Sequence, residues 1–169
     1  NIFDLLESKN IFPSLPTKKN FLFIPVFVDQ NKNKVSMFSE NELFTKWNLN
    51  NKKYSLLNYI LPTQDLEDFS MINRNINNLE TYDFKEIINK YNINDYIIMI
   101  VFKDNNKIRV FNKIFFNQKN NLKNLNFVDV NFNKDEEVYE FIDKLKIVYE
   151  DFWKLQNQIN TSVKLSLNI

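Results

Sequence analysis

The chain contains no glycine in 169 residues. Every turn that needs a positive φ must therefore be made by a residue carrying a Cβ, and asparagine tolerates that region best. Asparagine occurs 30 times, scattered between apolar periodic segments. The loops are accordingly expected to place Asn where other chains place Gly. Lys outnumbers Arg 20 to 2, Phe occurs 17 times and alanine is absent. Residues with AT-rich codons dominate, so the Asn richness is read as the base composition of an AT-rich genome and not as a polar low-complexity function.

The missing residues also remove chemistry. Without Gly there is no P-loop, no dinucleotide fingerprint and no nucleophile elbow of the usual form. The chain has no His and no Cys. A Ser-His-Asp triad is impossible, and zinc and iron–sulfur sites lose their ordinary ligands. All-oxygen metal sites, carboxylate pairs and Lys, Tyr or Ser/Thr chemistry remain open. No catalytic residue, no cofactor and no transition metal is expected. Zero Cys fits a cytosolic protein, or an exported bacterial one that does not rely on disulfides.

Length and composition point to one domain with a sizeable core: 44% of residues are hydrophobic and 15% aromatic. A formal charge of +1, with Lys spread along the chain, gives no case for nucleic acid. No apolar run approaches the ~20 residues of a membrane span. A chain starting at Asn1 is expected to be a processed form or a piece, so a missing signal peptide leaves location open.

Residues 1–19 read as a short apolar helix and a Pro-containing linker, residues 20–161 as one α/β domain, and 162–169 as a strand leading toward a further domain. Phe21 to Val28 is a continuous apolar run, the pattern of a strand buried on both faces. Its Pro25 argues for an edge or a bulge. Val35–Phe38 is a short strand. Ser39-Glu40-Asn41-Glu42 is a capping box that opens a helix with Leu43, Phe44 and Trp47 on one face. Leu56–Leu61 is a strand stopped by Pro62. Helices follow from Thr63 to about Asn73 and from Asp83, the latter with Phe84, Ile87, Ile88 and Tyr91 at helical spacing.

Asp95–Phe102 is the strongest strand. It meets Lys107–Phe116 across Asp104-Asn105-Asn106, with Asn in the Gly positions of a hairpin. Leu125–Phe132 is a further strand. A long helix opens at Asn133, with Val138, Phe141, Ile142, Leu145, Val148, Tyr149, Phe152 and Ile159 in one apolar stripe. The order implies a mixed sheet of five to six strands, parallel first and antiparallel later, covered by helices: an α/β (α+β) fold.

Two sets of residues are candidates for function. Asp65, Glu67 and Asp68 follow a strand and open a helix. Such strand ends often bind ligands, and the carboxylates could hold Mg²⁺ or Ca²⁺. The competing and favoured reading is helix capping. Trp47 and Trp153, the two tryptophans, are the candidates for a protein interface, against a role at the core edge.

The succession Leu22-Phe23-Ile24-Pro25-Val26, then Phe38 through Asn41 to Trp47, then Ile60 through Pro62 and Asp65 to Asp68, then Ile87–Tyr91 leading into Asp95-Tyr96-Ile97-Ile98 resembles the proteobacterial domain-of-unknown-function family 2066. Phe38 and Leu43 stand where that family has Trp, and Glu42 where it has Pro. The resemblance implies export to the periplasm and no established activity. It also implies a fold distantly like the N-terminal domain of the Tol-Pal propeller protein and the lipoprotein activators of penicillin-binding proteins, which are binding modules. The function it suggests is a non-catalytic cell-envelope domain that binds another envelope protein. The alternatives are a small-ligand or divalent-metal domain using Asp65 and Asp68 and, more remotely, a carboxylate-dependent hydrolase.

Overall fold

A computed structural model describes residues 18–37, 42–49, 56–63 and 65–167. The expected N-terminal helix with its linker, and residues 39–41 of the expected capping box, lie outside the described residues.

Strands β1 (Lys19–Asp29), β2 (Lys34–Met37), β3 (Leu57–Ile60), β4 (Tyr96–Asp104), β5 (Lys107–Phe116) and β6 (Asn121–Phe127) form one sheet, in the order β2-β1-β4-β5-β6 with β3 also on β1. The β1–β3 and β1–β4 pairs are parallel, and the β1–β2, β4–β5 and β5–β6 pairs are antiparallel. Helices α1 (Glu42–Leu49), α2 (Leu66–Arg74), α3 (Lys85–Tyr91) and α4 (Asp135–Leu167) cover it. The mixed α+β fold expected from the element order is the fold observed.

Alternation along β1 and β4 divides the core in two, because successive strand residues point to opposite faces. Phe21, Phe23, Ile97, Met99 and Val101 meet Trp47 of α1 and Phe141, Leu145, Tyr149 and Phe152 of α4. Leu22, Ile24, Val26, Ile98 and Ile100 meet Met71 and Ile72 of α2 and Ile87 of α3. A strand covered on both faces has no polar side, which is why these two strands read as unbroken apolar runs. The helical stripe through Phe141, Ile142, Leu145, Tyr149 and Phe152 is buried as its spacing requires.

Pro25 does not put β1 at an edge. The outer side of β1 is shared end to end: β3 pairs with Lys19–Leu22 and β2 with Val26–Asp29. Pro25 falls in the gap between them, where the absent N–H costs no ladder bond. Two boundaries also differ from the pattern. The last strand spans Asn121–Phe127 and stops short of Phe132. Residues 162–167 continue α4 and form no strand. No Gly or Pro interrupts Asp135–Leu167, and the β-branched Thr161 and Val163 are too weak a signal to end a helix already propagating.

Positive φ falls on Asn33, Asn92, Asn105 and Asn120, with Asp129 and Phe84 besides. The Asn-for-Gly expectation therefore holds at the hairpin turn, where Asn105 has φ 54°. Phe84 is the exception, at φ 55°. Its side chain is fully buried and lies 4.6 Å from the Tyr82 ring. Burial of a large apolar side chain, worth about 1.5–3 kcal/mol, outweighs the ~1–2 kcal/mol cost of the left-handed region. Asn92 ends α3 at φ 53° with no such burial. Asn92→Gly is expected to hold or raise the melting temperature, whereas Asn92→Val should lower stability by about 1–2 kcal/mol. Identical melting curves for the two variants would contradict this account.

Candidate functional site

Asp65 is the N-cap of α2. Its backbone is extended (φ −76°, ψ 171°) and its carboxylate accepts from the Asp68 backbone N–H at 2.8 Å. The capping geometry read from the sequence is thus present, with Glu67 and Asp68 in the first turn beside the positive end of the helix.

The fold brings two further residues to this turn, and no local pattern links them to it. They are Lys90 and Tyr91, in the last turn of α3. Lys90 Nζ forms ion pairs with Asp65 Oδ2, with Asp68 Oδ1 at 3.2 Å and with Glu67 Oε2 at 3.6 Å. The Tyr91 hydroxyl donates to Asp68 Oδ2. It accepts from the Thr63 backbone N–H at 2.9 Å and, its own proton being committed, from Thr63 Oγ1 at 3.0 Å. The Asp68 side chain is fully buried under this network, while Asp65 and Glu67 stay exposed. A lysine and a tyrosine 22 and 23 residues away from Asp68 in sequence have no periodic relation to it, so only the packing of α2 against α3 could reveal them.

The electrostatics argue against acid–base work at Asp65. The hydrogen bond from Lys90, then that from the Asp68 N–H, hold its carboxyl below the usual aspartate range. A general acid at neutral pH needs the opposite shift. Lys90 is held above the ordinary lysine range, first by its hydrogen bond to Asp65, so it stays an ammonium and is a poor nucleophile. The ammonium already occupies the place a cation would take among the three carboxylates. Among the described residues no group of three or more Asp or Glu is arranged to hold a metal ion.

A depressed folded-state pKa contributes stability above the unfolded value and loses it as pH falls through the folded value. Asp65 therefore stabilises the protein at neutral pH and loses that contribution at acid pH, below about 4. Asp65→Asn keeps the cap but not the charge. It should be less stable than the parent at pH 7, converge with it in acid, and so show a shallower acid limb in denaturant titrations. An unchanged acid limb would show that the charge on Asp65 is not coupled to folding.

The two tryptophans are placed differently. Trp47 is only 2% exposed. It stacks on Phe23 at 4.6 Å, meets Tyr59 edge-on at 5.4 Å, and lies beneath Lys146 Nζ at 5.0 Å. The expectation of Trp47 at an exposed interface is corrected: α1 packs against α4, and the α1 face that carries Leu43 carries Trp47 inward with it. Trp153 is half-buried at the end of the core, edge-on to Phe116 at 5.1 Å and to Phe21 at 6.5 Å, with Lys19 Nζ 5.8 Å from its ring. The most exposed large apolar side chains of α2 are Leu66, at 87%, and Phe69, at 39%. They stand three residues apart on one side of the helix.

Fold and site together define an α+β domain whose acidic turn is closed by a lysine and a tyrosine. No family model matches the chain. No curated protein matches it either. Among solved structures, the C-terminal domain of LpoB from Salmonella enterica is similar over 74% of this chain and 92% of that one, with 9% sequence identity and a TM-score of 0.38. Among the described residues, no helix is long and apolar enough to cross a membrane.

Proposed function

We propose that this chain is a non-catalytic domain of the cell envelope that acts by binding another protein. The observation that carries the reading is the closure of the Asp65–Glu67–Asp68 turn by Lys90 and Tyr91. It commits the one acidic cluster singled out by sequence to holding α2 on α3. The absence of His and Cys supports the same reading. So does the resemblance to family 2066, from which the periplasmic location is taken. The contact surface is assigned to α2, where Leu66 and Phe69 project from a helix start that the cap and Lys90 keep rigid. Trp153 is a second anchor, partly exposed at the opposite face of the sheet.

The experiment is capture from a periplasmic extract by the parent chain, by Leu66→Ser/Phe69→Ser and by Trp153→Ala, with bound proteins identified. Leu66 is exposed, so its replacement should change stability by no more than about 0.5 kcal/mol, and circular dichroism melts separate folding from binding. The expected result is a protein captured by the parent and lost by the α2 variant at an unchanged melting temperature. Equal capture by all three chains would remove the interface reading. Saturable turnover of a substrate by the purified chain would remove the non-catalytic one.

A further inference from the structure

We infer that the crevice at the carboxyl ends of β1 and β4 is a binding site for a neutral, hydroxyl-rich ligand, a saccharide. This site is separate from the α2 surface and does not depend on the protein-binding reading.

The crevice lies at the carboxyl ends of β1 and β4, which are parallel neighbours. It is bounded on one side by Val28 and Phe102 of these strands and on the other by the turn Ile76–Thr81. Here the space measures about 500 Å³, within the range of small-molecule sites.

Its floor is apolar. Val28 and Phe102, which are register partners, and Leu79 line it with little exposure of their own. Its rim is built of amides: Gln30, Asn33, Asn77 and Asn78, all exposed. An amide side chain both donates and accepts, as a hydroxyl does, so it can serve either role of a sugar OH. Three backbone N–H groups of this turn are spent internally: Asn78 N donates to Asn75 O, and Thr81 N and Tyr82 N both donate to Asn78 O. Its exposed side-chain amides are then the groups that reach into the crevice rim.

Charge points the same way. Glu80 and Arg109 are the charged residues of the lining, and they form an ion pair with each other. Arg109 is held further by the Phe102 ring, 4.3 Å from its guanidinium carbon, and by Asn126 Oδ1 at 3.3 Å. With the pair intact the crevice has no net charge to attract an anion or a cation. An amide rim and cancelled charge over a buried apolar floor fit an uncharged polyol.

The test is a ¹H–¹⁵N titration of the whole chain with glucose, N-acetylglucosamine, maltotriose, cellotriose and triacetylchitotriose, with glucuronate as the charged control. Saturable shifts confined to the amides around Gln30 and Asn77–Thr81 are expected with at least one neutral sugar. A monosaccharide binding as tightly as its trisaccharide marks a free sugar as the ligand, and a tighter trisaccharide marks a chain. Asn77→Leu/Asn78→Leu, at two exposed positions, should bind about tenfold more weakly with an unchanged melting temperature. Glu80→Gln, which frees Arg109, should gain glucuronate binding that the parent lacks. The inference is overturned if none of the neutral sugars gives saturable shifts, if the shifts fall outside the crevice or survive the double substitution, or if glucuronate binds the parent as tightly as the neutral sugars.

Discussion

Phe23→Ala is expected to lower the free energy of unfolding by about 3–5 kcal/mol, the usual range for truncating a buried aromatic. Phe23 has no solvent exposure and sits on β1, between β4 and the outer strands. Its ring stacks on Trp47 at 4.6 Å and meets Tyr59 edge-on at 5.5 Å, and Trp47 in turn touches Tyr149 at 6.0 Å. The substitution removes the ring that ties β1 to Trp47 of α1 and to Tyr59 of β3. Rings this large, packed on a strand held to β4 by an eight-residue register, cannot relax inward to fill the space. Urea unfolding should show a large fall in midpoint at constant slope. A shift below about 1 kcal/mol would mean that the aromatic cluster is not a cooperative part of the core.

Tyr149→Phe should cost about 1–3 kcal/mol through a different mechanism. The Tyr149 hydroxyl donates to Asn112 Oδ1 between a helix and the middle of the sheet, with Asn112 fully buried and Tyr149 1% exposed. Burial holds the phenol well above its ordinary pKa, so it is a donor at neutral pH. Removing only the hydroxyl leaves the Asn112 oxygen without its donor in a dry site, where an unpaired polar atom bears its full desolvation cost. Adding Asn112→Val to Tyr149→Phe removes both partners and should recover much of the loss. A double-mutant cycle should therefore give a coupling energy above about 1 kcal/mol. Additive effects would show that the two side chains do not act as a pair.

The legible parts of this protein are those governed by short periodicities. The unbroken apolar runs of β1 and β4 announced burial on both faces, and the odd and even residues of Phe21–Ile24 do enter separate cores. The stripe of α4 gave its buried face, since 3.6 residues per turn brings Phe141, Leu145 and Phe152 into line. Asp65 was readable as a cap because capping is a contact across three residues. The far end of α4 was misread because the β-branched residues near 161–163 are only a weak propensity, and propensity yields to an uninterrupted helix. Pro25 was misread because its tolerance depends on which strands share the outer side of β1, a matter of pairing and not of local sequence.

Glycine's absence determined, from the sequence alone, that Asn would carry most of the left-handed turns. The absence of His and Cys likewise determined which site chemistries were closed to the chain. Both follow from what a side chain can and cannot do, independently of its neighbours. Tertiary structure alone decided that Lys90 and Tyr91 close over Asp68, that Trp47 faces inward, and that Arg109 is neutralised by Glu80 at the mouth of the crevice. Those contacts join residues 22 to 29 positions apart, or, for Trp47 and Lys146, 99. At such separations no backbone period links the partners, and the packing of helix on sheet sets which side chains meet.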